Sequence, residues 1–233
     1  MIPLAKLLKS TMKIREKLMT ILNEAGVEYS SVEVRPFFTP QEGALRLNLL
    51  RYRDEKIVEL GYAVVENVPC NNFLRYSDEF QEVSIKHEIC HLVVEGSHLS
   101  FLEKYCNRSV YLFRELMAHK EFEKRYPHLV ETYKKRWEWY IESCMKGPMP
   151  EPIIHVIESD LLGSTCRVIA TLIFTPARLR QKFEEINRLD LFEKMRELLQ
   201  NYETFYNKNI CKPYEELIKL LQGSMPDMLK GPL

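Results

Sequence analysis

Paired cysteines are missing from this sequence. Its six cysteines stand singly and none forms a CxxC pair, which argues against a zinc ribbon or a thioredoxin-type redox motif. An excess of charge of one sign is missing too, because 33 Lys and Arg residues balance 33 Asp and Glu residues. This balance gives no electrostatic reason to expect binding to nucleic acid or to an anionic membrane. We therefore expect neither as a partner.

Long apolar runs are also absent. Charged residues interrupt residues 1–22 every few positions, whereas a signal peptide has an unbroken apolar stretch. The run VIATLIF at 168–174 is far shorter than the roughly 20 residues that cross a bilayer. Only 8 glycines are present, which favours a compact helical protein. Together these features predict a cytoplasmic protein with reduced thiols.

The N-terminal part of the chain carries signals for one helix and three strands. Apolar residues at helical spacing predict a helix over residues 3–25 that ends at Gly26. Alternating, β-branched and aromatic residues then predict strands at 31–38, 44–53 and 56–67. Because only a short turn separates the last two strands, we expect them to form a hairpin.

Helical signals return after the strands. Ser77 supplies an N-cap, and acidic residues follow it in the first turn of a helix that we expect to end at Gly96. Two more helices are predicted over 109–126 and 128–146. The second of them is followed by a turn-rich stretch, GPMPEP.

GPMPEP is the predicted domain boundary. It separates a domain at 1–146 from a helical subdomain at 151–233 that packs on it. In the second part, Thr175 is a cap and Pro176 takes the first helical position. We therefore predict an α+β fold with an all-helical C-terminal half.

The stretch SIKHEICHLVVE at 84–95 carries the chemistry. Residues four apart share one helix face, so His87 and His91 can direct their rings at one metal ion, and imidazole suits zinc. Glu88 projects about 100° further around the helix, where it can take a proton from a water that zinc has acidified. Cys90 is expected to be a buried thiol, with a redox-sensitive neighbour of the metal as the alternative. The pattern predicts a zinc site, and a chance match on an amphipathic helix is the competing explanation.

A catalytic zinc needs a third protein ligand and an open position for water. Glu95, one turn beyond His91, lies about 6 Å further along the helix axis and is disfavoured. His98 requires the chain to turn back after Gly96, and its spacing departs from the HExxHxxGxxH pattern. Glu115 follows His91 by 24 residues, enough for a loop and an antiparallel helix. Glu115 therefore fits as the third ligand, and His98 stays open.

The sequence HEICH, followed by a helix that reads Glu-Leu-Met-Ala-His, resembles the gluzincins. These are HExxH zinc peptidases whose third ligand is a glutamate on the following helix, and the order of elements is most similar to the small minigluzincins. The resemblance covers roughly residues 1–126. It implies a zincin-like unit of helix, three-stranded sheet, active-site helix and glutamate helix. It also implies zinc bound by His87, His91 and Glu115, with Glu88 as the general base of peptide-bond hydrolysis.

The resemblance has further implications around the metal. The strand at 56–67 would form an edge of the cleft and bind a peptide or protein substrate by main-chain hydrogen bonds, with a plain internal strand as the alternative. His119, one turn after Glu115, would orient that carboxylate from outside the ligand set, with simple packing as the alternative. Four residues could stabilise the oxyanion, and none has a distinguishing signature: His128, Tyr133, Tyr140 and His155.

A different class of function uses the same residues. In it the protein is a latent or non-catalytic zinc-binding protein on the same scaffold, with a regulatory or binding role. The zinc is then structural, or the chain's own C-terminal half closes the cleft. The peptidase is the favoured hypothesis, since the glutamate helix and the strands accompany the motif.

Overall fold

A computed structural model of the chain describes residues 3–38, 44–66, 72–105, 109–144 and 170–185, with 187, 189, 190, 192, 193 and 196. The fold is α+β and mostly helical, with one three-stranded sheet in the described residues. Two compact units are present, one formed by residues 1–97 and 117–136 and the other by 98–116 and 137–233. The predicted boundary at GPMPEP lies outside the described residues.

The first helix of the first unit matches the prediction. Helix α1 is Leu4–Ala25, and Gly26 ends it in the left-handed conformation at φ 69°. Glycine adopts this conformation at little cost, and its N–H donates to carbonyls of the last turn. The buried side chains recur at helical spacing and form one apolar face: Ile14, Leu18, Ile21 and Leu22.

The sheet consists of β1 (Ser31–Phe37), β2 (Leu45–Tyr52) and β3 (Glu55–Ala63). Strands β2 and β3 pair antiparallel through a short turn, so the predicted hairpin is confirmed. Strand β1 pairs parallel with β3, with Ser31 opposite Ile57. The strand order is therefore β1-β3-β2.

Strand β3 is the central strand, so its predicted role as an edge of the cleft is wrong. Its backbone is hydrogen-bonded to β1 on one side and to β2 on the other, which leaves no edge for an added peptide. Burial agrees with this position, because Val58, Leu60 and Tyr62 are all 0% exposed. The alternative of a plain internal strand is the correct one.

Helix α2, the helix of the HEICH motif, is Asp78–Tyr105. The predicted cap is confirmed, since the Phe80 N–H donates to Ser77 Oγ at 3.2 Å. The predicted end at Gly96 is wrong, because the helix continues without interruption to Tyr105. Glycine lowers helix stability by about 1 kcal/mol but ends a helix only where its backbone leaves the helical conformation.

Two helices follow α2 at the predicted places. Helix α3 is Ser109–Arg125, and helix α4 is Val130–Cys144. A short 3-10 turn, Pro127–Leu129, joins them. Proline at the start of that turn has no N–H to donate, so α3 cannot continue through it.

The second unit contains a further helix, α5, at Pro176–Glu185. Proline occupies its first position, as predicted. The Thr175 hydroxyl donates backwards to the Thr171 carbonyl at 2.8 Å and not into α5. Leu179 and Phe183 form the buried face of α5, and Phe183 contacts the Phe192 ring at 6.1 Å. Across the described ranges, none of the helices has the combined length and apolarity that crossing a membrane requires.

Candidate metal centre

The two histidines of HEICH meet on α2. Their Nε2 atoms are 3.2 Å apart, and the rings approach edge to face at 79° with centroids 4.7 Å apart. This convergence follows from their spacing, because residues four apart stand one above the other on a helix. His87 is buried at 6% exposure, whereas His91 is partly exposed. Their role as metal ligands stays a prediction.

Glu88 and Cys90 lie between the histidines in sequence but have different surroundings. Glu88 is partly exposed, so water can reach its side chain. Cys90 is fully buried and forms no disulfide, which confirms the expected buried thiol. Burial, with a smaller effect of the Glu121 charge, raises the pKa of the Cys90 thiol to about 12. At neutral pH the Cys90 thiol is therefore uncharged and packs in the core as a small apolar group.

Glu115 and His119 stand one turn apart on α3, so the helix itself places them on one face. His87, Glu115 and His119 each offer one ligand atom, and these atoms lie within 4.8 Å of one another. This group contains two of the three predicted ligands, His87 and Glu115, and does not contain His91. The group also includes His119, which the sequence suggested only as an orienting residue.

Tyr133, one of the four oxyanion candidates, is a neighbour of His87 and His119 that the sequence did not predict. Its hydroxyl lies 3.4 Å from His119 Nδ1. Its ring is stacked on the ring of His87, with centroids 5.6 Å apart and an interplanar angle of 29°. His119 lies against His87 as well, at 4.6 Å and 25°. His119 and Tyr133 are each only 1% exposed. Tyr133 is therefore too deeply buried to be an oxyanion donor for a bound substrate in this conformation.

The other candidates are placed only in part by the described residues. Glu95 and His98 continue α2, and the turn-back that His98 requires does not occur. His98 is about 10 Å along the axis from His91. Of the other oxyanion candidates, His128 is exposed on the 3-10 turn and Tyr140 is partly exposed on α4, while His155 lies outside the described residues.

A buried cation adjoins the centre. Lys86 directly precedes His87, and its side chain is only 7% exposed. Its Nζ lies 3.1 Å from Glu82 and 3.5 Å from Glu24 of α1, and it stands 4.6 Å above the Tyr126 ring. These contacts tie the first part of α2 to α1 and to the end of α3.

Comparison with known proteins adds no relative. No protein-family model, curated protein or solved structure matches the chain significantly.

Proposed function

We propose that this protein is a zinc-dependent peptidase with a zincin-like N-terminal unit. In this proposal His87, His91 and Glu115 hold the metal and Glu88 is the general base. The observation that carries the proposal is the 3.2 Å separation of the His87 and His91 Nε2 atoms.

The separation suits two ligands of one zinc ion. Zinc–nitrogen bonds of 2.0–2.1 Å at a tetrahedral angle place two nitrogen atoms roughly 3.3–3.4 Å apart. The observed 3.2 Å differs from this by only about 0.1–0.2 Å, so small ring rotations suffice. Two histidines and one glutamate are also a common ligand set for catalytic zinc.

A bound zinc, Glu88 and Glu115 would each have a separate role in hydrolysis. A bound zinc supplies a Lewis acid that polarises a carbonyl group and acidifies water. Glu88 accepts a proton from the attacking water and passes it to the departing amine. Its partial exposure fits this role, because the base must meet both water and substrate. The Glu115 carboxylate neutralises part of the metal's charge.

The choice of a peptide substrate rests on the resemblance to gluzincins. Strand β3 cannot offer an edge to an extended peptide, since both of its neighbours are already paired with it. In the described sheet the free edges belong to β1 and β2. We infer that an extended substrate, if it adds to the sheet, adds to one of these two strands.

Zinc content and the Glu88→Gln variant test the proposal together. Purified protein should contain about one zinc per chain and hydrolyse an unfolded protein such as casein. Glu88→Gln should keep the zinc and lose hydrolysis by a factor of about 10²–10⁴. Glu79→Gln is the matched control, because Glu79 is an exposed glutamate in the first turn of the same helix.

Each alternative has its own result. A protein with well under one zinc per chain would exclude the metal site. One zinc without hydrolysis would support the latent or non-catalytic zinc-binding protein. Undiminished hydrolysis by Glu88→Gln would remove Glu88 from the role of general base.

A further inference from the structure

The rings of His119 and Tyr133 both lie against the ring of His87. His119 lies 4.6 Å and Tyr133 lies 5.6 Å from the His87 centroid, both at interplanar angles below 30°. His119 and Tyr133 are themselves only 5.8 Å apart. Rings on opposite faces of His87 would be about 10 Å apart, by the usual stacking distances. Both rings therefore cover the same face of His87.

By distance alone His119 could be a metal ligand, because it, His87 and Glu115 each offer one ligand atom within 4.8 Å of the others, so the orientation of its ring matters. The lone pair of an imidazole nitrogen lies in the plane of its ring. The rings of His87 and His119 are stacked, with centroids 4.6 Å apart and an interplanar angle of 25°, so each ring presents its face to the other. The Nε2 atoms of His87 and His91, in contrast, lie 3.2 Å apart.

We propose that His119 and Tyr133 are positioning residues that hold the ring of His87 by its face. With that face covered, rotation of the His87 ring is restricted and its Nε2 stays directed at His91. This proposal rests on the metal site proposed above and defines how its first ligand is oriented.

The contacts of the pair support this role. The Tyr133 hydroxyl and His119 Nδ1 are 3.4 Å apart, which links the two rings to each other. Tyr133 also packs on Phe122 of α3 with centroids 4.4 Å apart. Both rings are 1% exposed, so the protein interior prevents them from turning away. Stacking by a buried, anchored pair restricts a ring without taking its nitrogen lone pairs.

The test compares a variant that removes a ring with one that keeps both rings and removes their polar atoms. His119→Ala uncovers part of the His87 face, and we expect zinc affinity to fall about 10–100-fold. The double variant His119→Phe/Tyr133→Phe keeps two flat rings and replaces both members of a polar pair together, which is often nearly neutral for stability. Because both rings that cover His87 are kept, we expect the zinc affinity of the double variant to stay within about threefold of wild type.

The measurements do not depend on hydrolysis. Zinc affinity is measured by competition with a chromophoric chelator, and the visible spectrum of the Co²⁺-substituted protein reports the ligand set. Wild type and the double variant should share one spectrum, since the ligands are the same. His128→Ala is the control, because His128 is an exposed histidine outside the ring cluster. Circular dichroism of the metal-free proteins checks that each variant is folded.

Two outcomes would overturn the proposal. A double variant that loses affinity more than tenfold, with a changed Co²⁺ spectrum, would make His119 a ligand. Unchanged affinity in folded His119→Ala would show that the ring has no effect on His87. If His119→Ala does not fold, the double variant alone decides between ligand and positioning residue. Failure of wild type to bind zinc would instead refute the proposed function, which is a separate result.

Discussion

The buried ammonium of Lys86 provides a quantitative test of what holds the motif helix in place. Its Nζ approaches Glu82 at 3.1 Å and Glu24 at 3.5 Å. At an effective dielectric constant of about 20, each attraction amounts to about 5 kcal/mol before screening. The carboxylates are 41% and 52% exposed, so solvent screening reduces both values considerably. Removing the ammonium from water costs several kcal/mol, which offsets most of what remains.

The two sides of this balance respond differently to mutation. Lys86→Met keeps the length of the side chain and removes both the attraction and the desolvation cost, so we expect the free energy of unfolding to change by less than about 1 kcal/mol. Glu24→Gln/Glu82→Gln leaves the ammonium buried without its carboxylates. We expect this double variant to lose about 2–3 kcal/mol, since two neutral amides and the Tyr126 ring stabilise the charge less than two carboxylates and the ring do.

Urea denaturation followed by far-UV circular dichroism at pH 7 measures these differences. Lys13→Met serves as the control, because Lys13 forms an exposed ion pair with Asp78. We expect 1 M salt to reduce the difference in free energy of unfolding between Lys13→Met and wild type. The difference between the Lys86 variants and wild type should change less, because buried charges are screened less than exposed ones. A larger loss for Lys86→Met than for the double glutamine variant would refute the reasoning, because attraction would then exceed desolvation.

Three further predictions concern stability in the first unit. Burial raises the pKa of Tyr126 from 10.0 to about 12, so its stabilising contribution is complete below pH 10 and is lost as the pH rises towards 12. At pH 11 this lowers the free energy of unfolding by about 1.4 kcal/mol. In Tyr126→Phe the urea midpoint should therefore fall less between pH 9 and pH 11 than it does in wild type, and an equal fall in both proteins would contradict the prediction. Thr11→Val removes the 2.6 Å hydrogen bond to the Tyr62 hydroxyl, so we expect chemical denaturation to show a free energy of unfolding lower by about 1 kcal/mol. An unchanged free energy of unfolding would indicate that water replaces the threonine hydroxyl. Gly61→Ala places a Cβ 3.2 Å from the Phe37 ring, so we expect a loss of about 1 kcal/mol in thermal unfolding, and a stabilised variant would show that the ring moves freely.

Much of the local structure could be predicted because its causes are local. Gly26 ends α1 through its own backbone conformation, and Ser77 caps α2 with its own hydroxyl. The meeting of His87 and His91 needs only a helix, since the spacing of four residues aligns them. Glu115 and His119 share a face of α3 for the same reason.

The parts that could not be predicted depend on contacts between distant residues. The pairing of Ser31 with Ile57 makes β3 central, and no local pattern distinguishes this arrangement from one with β3 at the edge. Gly26 ends α1, whereas Gly96, also a glycine, keeps the helical conformation inside α2. Tyr133 follows His87 by 46 residues and reaches it only because α3 and α4 fold back. Among several tyrosines, sequence gave no reason to prefer it.

The concealed thiol of Cys90 has a practical consequence for measuring motion at the motif. With a pKa near 12, only about one molecule in ten thousand carries a reactive thiolate at pH 8, and the side chain is fully covered. Alkylation at this cysteine therefore requires α2 to open, and its rate reports the free energy of that opening, as amide hydrogen exchange does elsewhere. Peptide mapping by mass spectrometry separates this site from the other five cysteines. The chain thus carries an intrinsic label for local unfolding, one residue away from His91.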